Sequence, residues 1–192
     1  MIRTLLTLRA VTVVLWAATV IFFAETRSSW PWLGVAAVIA GEALRLWASG
    51  YGVAWSRVDS AEAIAHLSAA GPYRWVRNPK DIGNVVVAVG LSLWAGGLLP
   101  WLPLATAFVF ILPDWLIQSA RDRDLGRRFS WEYRAYRGTV PIWLPRFTRR
   151  PPAIRSRWRL GVALAGEAAV LIQIVAVAAA AYIRPRAINW LR

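Results

Sequence analysis

The 192-residue chain contains no cysteine and a single histidine, His66. The lack of cysteine excludes disulfides, thiol nucleophiles and cysteine-based metal sites, and one histidine cannot build a multi-histidine site, so we expect no metal. Acidic residues are also few: 10 aspartates and glutamates stand against 23 basic residues, of which only Lys80 is a lysine. The net charge of +13 would suit nucleic acid. The placement of the arginines beside apolar runs favours a membrane instead, and we expect no nucleic-acid partner.

Long apolar runs dominate the chain, and hydrophobic residues make up 58% of it. Each run has about the 20 residues needed to cross a ~30 Å hydrocarbon core at about 1.5 Å per residue. The first run has no small-residue cleavage site after it and is interpreted as an uncleaved span. The pattern predicts an all-α, polytopic membrane protein with about five transmembrane helices, over residues 5–23, 30–48, 82–99, 101–120 and 160–182.

The arginines predict the orientation in the membrane. Twelve of them lie between Arg121 and Arg159, and positive loops are retained in the cytoplasm. The third and fourth predicted spans are joined by an uncharged stretch ending at Pro100, so they should form a hairpin that returns the chain to the side it left. Residues 49–81 and 121–159 are therefore predicted to share the cytoplasmic side of the membrane, which we expect to be a bacterial inner membrane. The amino terminus would be cytoplasmic too, and the site would face the cytoplasm.

Residues 71–83 form the first block that could carry chemistry. Gly71-Pro72 is a turn signal, and Asn78-Pro79 predicts an extended residue followed by a helix start. Arg77 is thus held at a helix N-terminus, where amide donors and the helix dipole attract anions. A basic anchor at the membrane interface is the alternative interpretation.

A second block follows the fourth predicted span. Asp114, Gln118 and Asp122 are spaced so that they share one helix face. A polar stripe on an apolar helix indicates a lined cavity, although a helix end that reaches water would give the same pattern. Aromatic residues and a proline-stiffened segment come next, with Tyr133 and Tyr136 among them.

Together the blocks resemble the isoprenylcysteine carboxyl methyltransferase and phospholipid methyltransferase superfamily of membrane enzymes. The resemblance covers roughly residues 34–146, and its order and spacing are fairly specific. Matching residues of the second span and of the two blocks are Gly41, Leu44, Arg45, Trp47 and Ala48; Gly71, Pro72, Tyr73, Arg77, Asn78, Pro79 and Gly83; and Asp122, Leu125, Phe129, Tyr133, Tyr136, Val140, Pro141 and Pro145.

The resemblance implies S-adenosylmethionine as cofactor and a lipophilic or membrane-embedded methyl acceptor. Arg77 and Asp122 are the implied catalytic residues. The implied cofactor-binding residues are Gly71, Pro72, Tyr73, Arg77, Asn78, Pro79, Gly83, Asp122 and Tyr133. Residues 1–158 would form the methyltransferase-like domain, and residues 159–192 an additional C-terminal helix and tail. Membrane lipids are the expected surroundings, and the oligomeric state is not predicted.

Three positions depart from the superfamily pattern. Asp81 replaces an aromatic residue, Arg121 replaces the first member of an acidic pair, and Ser130 replaces a glycine. An arginine at the acidic position changes the local charge by two units, which a cationic methyl donor would feel. A catalytically silent membrane protein of the same fold is therefore an alternative function. An NADPH-dependent enzyme similar to sterol reductases is another, because those enzymes share a related carboxyl-terminal block.

Charged residues inside the predicted spans are the last feature, since intramembrane charges are costly and usually functional. Glu42 and Arg45 are i, i+3 neighbours that we expect to neutralise each other. Glu167 lies in the fifth predicted span, and the sequence identifies no partner for it.

Overall fold

A computed structural model describes residues 2–25, 28–51, 71–128, 132–145 and 157–190 of the chain. Within these ranges all regular structure is helical, as predicted. A 3₁₀ turn, Gly71–Arg74, precedes the third α-helix. The α-helices are α1 (Ile2–Phe23), α2 (Pro31–Ser49), α3 (Pro79–Ala95), α4 (Trp101–Arg128), α5 (Glu132–Thr139) and α6 (Leu160–Trp190).

Four helices in the described part of the chain are long and apolar enough to cross a membrane: α1, α2, α4 and α6. The predicted third span is shorter than expected, because α3 has 17 residues and ends at Ala95 rather than at Leu99. Gly96 follows it with a φ of 79°, a conformation that terminates helices. At 1.5 Å per residue α3 is about 26 Å long, somewhat less than a ~30 Å hydrocarbon core. Five spans therefore stay a prediction.

The chain divides into two compact units, and the first contains residues 1–42, 84–117 and 168–192. Its helices approach closely where glycines meet. A Cβ atom at Gly34 would lie 2.7 Å from the carbonyl oxygen of Gly90, and one at Gly90 would lie 2.8 Å from the carbonyl oxygen of Gly34. Small residues of this kind allow backbones to pack in lipid, where no hydrophobic force drives helices together.

Polar side chains also join helices of the first unit. The indole Nε1 of Trp16 donates to Thr106 Oγ1 at 3.1 Å, and the hydroxyls of Ser92 and Thr106 are 2.9 Å apart. Arg9 Nε lies 3.0 Å from Oδ1 of the buried Asp114. These contacts pair polar groups with one another, which lowers the cost of burying them in an apolar environment.

The second unit contains residues 43–83 and 118–167, and both sequence blocks contribute to it. A backbone hydrogen bond joins its two segments, since Arg159 N donates to Gly50 O at 2.8 Å. The rings of Trp47 and Trp75 pack with centroids 5.5 Å apart.

Candidate functional site

The first block adopts a compact turn followed by a helix, as its Gly-Pro and Asn-Pro signals predicted. Gly71 has a φ of 46°, and a Cβ there would collide with the Tyr51 ring, so only glycine fits. Pro79 is the first residue of α3, and the Asn78 carbonyl accepts a hydrogen bond from Ile82 N at 3.2 Å. This N-terminal geometry allows the side chains of residues 77 and 78 to contact other segments.

Arg77 and Asp122 form a buried ion pair. Arg77 Nη1 lies 2.7 Å from Asp122 Oδ2, and each residue is only 4% exposed. The pair joins the two blocks, which are 45 residues apart in sequence. Breaking such a pair leaves an uncompensated buried charge and typically costs about 3–5 kcal/mol, so the two side chains depend on each other.

Three further side chains complete a network around the same carboxylate. Gln118 Nε2 donates to Asp122 Oδ1 at 2.9 Å, and the Tyr133 hydroxyl donates to the same oxygen. Gln118 Oε1 in turn accepts from Asn78 Nδ2 at 2.8 Å. Asp122 therefore accepts hydrogen bonds from three residues, and Gln118 is fixed at both ends of its amide. The spacing of Gln118 and Asp122 in α4 predicted their common face, and the structure shows that face to be buried.

Two contacts to the backbone also join the blocks. Arg77 N donates to Pro141 O at 2.8 Å, and the Tyr136 hydroxyl donates to Tyr73 O at 3.2 Å. The structure thus brings together seven of the residues that the superfamily resemblance singled out: Tyr73, Arg77, Asn78, Asp122, Tyr133, Tyr136 and Pro141. It also shows that Tyr136 and Pro141 hold the first block in place.

The buried tyrosines stay protonated well into the alkaline range. Burial raises the pKa of Tyr133, and its hydrogen bond to Asp122 raises that pKa further. Burial likewise raises the pKa of Tyr73 and of Tyr136. Tyr133 therefore acts as a hydrogen-bond donor that orients the Asp122 carboxylate.

Cationic groups outnumber anionic ones at the network. The Nε of Arg137 lies 4.0 Å from Asp122 Oδ2, and this side chain is 58% exposed, whereas Arg77 is buried. Buried Nε atoms of Arg77 and Arg74 have no hydrogen-bond acceptor within the described residues. The site thus offers unused donors and positive charge, which suit an anionic group of a ligand.

Other predicted residues lie elsewhere. Gly83 and Asp81 are buried in the first turns of α3. Asp114 belongs to the first unit, where it pairs with Arg9. Arg121 is half-buried in α4. Phe129, Ser130 and His66 lie outside the residues that the structure describes.

A second charged cluster, around Glu167, was not predicted. Lys80 Nζ lies 2.8 Å from Glu167 Oε1, and Arg45 and Ser49 also bond to this carboxylate. Sequence reasoning paired Arg45 only with its helical neighbour Glu42. The available signals were a lone glutamate in an apolar helix and the single lysine of the chain, but neither indicates which residue it contacts.

Comparison with known protein families gives a match that covers the first block and the helices around it. A family model described as phospholipid methyltransferase matches residues 30–119. No curated protein and no solved structure matches the chain. The matched stretch includes Arg77 and Asn78 but ends before Asp122 and Tyr133. Residues 30–119 match the phospholipid methyltransferase family, and this match confirms the superfamily resemblance that the motifs indicated.

Proposed function

We propose that this membrane protein transfers a methyl group from S-adenosylmethionine to a lipophilic or membrane-embedded acceptor. The observation that carries the proposal is the network centred on Arg77 and Asp122, because it unites the two motif blocks at one place. The family match supports methyl transfer to a lipid as the general activity. The methyl donor and the acceptor class are proposals that go beyond it.

The residues present fit the charged groups of such a donor. Its carboxylate needs cationic donors, and the buried Nε of Arg77 has no acceptor within the described part of the chain. Its ammonium and sulfonium need a nearby negative charge, which Asp122 supplies. We therefore assign Arg77 to the carboxylate end of the donor and Asp122 to its cationic centres.

The chemistry that the donor supplies is a methyl group on a good leaving group. The protein must then align acceptor and donor, and alignment alone can contribute several kcal/mol to catalysis. Gln118 and Tyr133 fix the orientation of Asp122, while Tyr136 fixes the backbone of the first block. This arrangement needs no cysteine or histidine nucleophile, in keeping with the composition.

Calorimetric titration of the purified protein with S-adenosylmethionine, and separately with NADPH, tests the proposal. We expect binding of the first ligand and none of the second. Replacement of Arg77 by alanine should weaken binding by roughly 1.5–3 kcal/mol, the scale of a hydrogen bond to a charged group. Transfer of a labelled methyl group into a lipid extract then identifies the acceptor. Binding of NADPH alone would favour the reductase alternative.

A catalytically silent protein is the second candidate, and two observations favour it. The Asp122 carboxylate already accepts hydrogen bonds from three side chains, and Arg121 stands where relatives carry an acidic residue. Replacing Arg121 by glutamate should tighten donor binding or create it, and the gain should shrink in high salt because charge interactions are screened. If neither the folded wild type nor this variant binds the donor, and the wild type does not bind NADPH either, the silent function is correct.

A further inference from the structure

Glu167 lies in α6, 48 residues beyond the end of the family match at residue 119. Its side chain is 0% exposed, although α6 is one of the helices that can span a membrane. A lone carboxylate at such a position would be expensive to bury unless cations and hydrogen bonds compensate it.

The compensating groups come from two other segments of the second unit. Arg45 and Ser49, near the end of α2, both donate to the Glu167 carboxylate. Lys80, in the first turn of α3, places its ammonium 2.8 Å from Oε1 and is about one-third exposed. One carboxylate thus connects α2, α3 and α6, and it is shared by two cations.

The contact between Glu167 and Lys80 is linked to the proposed site by the backbone of residues 77–80. Lys80 follows Pro79, the first residue of α3, and the two residues before that proline are Arg77 and Asn78. Those side chains bind Asp122 and Gln118. A group that holds Lys80 therefore also holds the helix start from which the Arg77 and Asn78 side chains extend.

We propose that Glu167 is a positioning residue: by holding Lys80, it makes α6 a part of the site rather than an added membrane anchor. The effect of Glu167 on the donor rests on the function proposed above, whereas its effect on Lys80 does not. Charge balance supports the proposal, because removing the carboxylate leaves two neighbouring cations without the anion they share.

Lys80 provides a direct readout, since it is the only lysine in the chain. In the full-length protein in detergent, Lys80 is labelled with an amine-specific reagent at one pH and quantified by mass spectrometry after proteolysis. We expect Glu167→Gln to speed this labelling by about five-fold or more, as loss of a partly exposed ion pair frees the amine. Gln173→Ala, an exposed position of the same helix, is the matched control and should leave the rate unchanged.

Donor binding separates positioning from simple stabilisation. Glu167→Gln and Lys80→Met should each weaken S-adenosylmethionine binding by about ten-fold, and the double variant should lose no more, because both act through one contact. Lys80→Arg should restore affinity, since it keeps a cation within reach of the carboxylate. Melting temperatures confirm that each variant is folded at the temperature of the titration.

Unchanged Lys80 labelling in Glu167→Gln would overturn the proposal, whatever the protein binds. Faster labelling with unaltered donor affinity would show a structural contact only and would also overturn it. Additive losses in the double variant would mean that Glu167 acts independently of Lys80. If the wild type binds no donor, the proposed function fails, and the labelling ratio alone decides whether Glu167 holds Lys80.

Discussion

At the scale of single residues, Asp122 illustrates how a charge becomes tolerable in an apolar protein. The carboxylate is nearly inaccessible, yet Arg77 neutralises it and Gln118 and Tyr133 satisfy its oxygens. Because each partner would be left buried and unsatisfied without the other, the network is rigid, and rigidity is what a site needs in order to align two reactants.

The mutual dependence of this pair leads to a stability prediction. Arg77→Met alone should destabilise the protein by about 3–5 kcal/mol, because Asp122 would remain buried without its cationic partner. Arg77→Met combined with Asp122→Asn should recover much of that loss, since no unpaired charge remains. Thermal unfolding in detergent, followed by circular dichroism, measures both. A double variant less stable than Arg77→Met would show that the ion pair is not the main interaction at this place.

The buried tyrosines predict a dependence of stability on alkaline pH. In the unfolded chain a phenol ionises near pH 10, whereas burial raises the folded pKa of Tyr73 above that value. The protonated Tyr73 phenol therefore makes its full contribution to the free energy of unfolding below pH ~10. That contribution is lost as pH rises toward the folded pKa, by up to about 1.4 kcal/mol per pH unit. Tyr73→Phe should flatten the fall of the melting temperature between about pH 10 and 12. An equally steep fall in this variant would contradict the argument.

At the scale of elements, hydrophobic runs predicted the helices well and their ends less well. The runs locate α1, α2, α4 and α6 because a membrane span needs a long apolar segment. They miss the continuation of α4 to Arg128 because that last stretch is charged, although its arginines favour a helix about as much as leucine does. Likewise, α6 continues past Pro185 to Trp190.

The sequence predicted which residues form the site, but not which of them contact each other. Motif order singled out Arg77, Asn78 and Asp122, and helical spacing placed Gln118 on the same face as Asp122. That Arg77 binds Asp122 could not be deduced, because a contact across 45 residues leaves no local pattern in one sequence. The cluster around Glu167 escaped for the same reason, since its partners are over 80 residues away.

Packing of α2 against α3 depends on two glycines and can be tested directly. A methyl group at Gly34 or Gly90 would lie within 2.8 Å of the opposite backbone, so the helices would have to separate. We expect Gly34→Ala and Gly90→Ala each to cost about 1–3 kcal/mol of stability, as overpacking typically does.

Gly126→Ala in α4 is the control for this prediction. A Cβ at Gly126 would have no neighbour within 4 Å, so alanine should stabilise that helix by roughly 0.5–1 kcal/mol. Thermal unfolding of the three variants in the same detergent would show opposite signs. If Gly34→Ala and Gly90→Ala behave like Gly126→Ala, the close approach of the two helices is wrong.

At the scale of the whole molecule, the length of α3 bears on the path of the chain through the membrane. The helix is roughly 26 Å long, about 4 Å less than the thickness of a typical hydrocarbon core. Local thinning of the bilayer accommodates such a mismatch at a modest cost. Its composition is apolar up to Ala95, with its charges confined to Lys80 and Asp81 in the first turn. We therefore expect α3 to cross the bilayer despite its length.

Because the chain lacks cysteine, single introduced cysteines can test this path. Ser29 is exposed between α1 and α2, and Gly138 is exposed near the end of α5, where an added side chain would meet open space. Three helices, α2, α3 and α4, separate the two positions. If all three cross, the positions lie on opposite sides; if α3 does not, they lie on the same side. The arginine distribution further predicts that Gly138 faces the cytoplasm.

An impermeant maleimide applied to intact cells should therefore label Ser29→Cys and spare Gly138→Cys, while both should react after the membrane is permeabilised. The physical reason is that residues 121–159 contain twelve arginines, and moving such a strongly basic segment out of the cytoplasm is costly. Labelling of Gly138→Cys alone would reverse the orientation and move the proposed site to the outer surface, away from a cytosolic methyl donor. Equal behaviour of both cysteines in intact cells would show that only two of the three helices cross, and α3 would then lie within the membrane without spanning it.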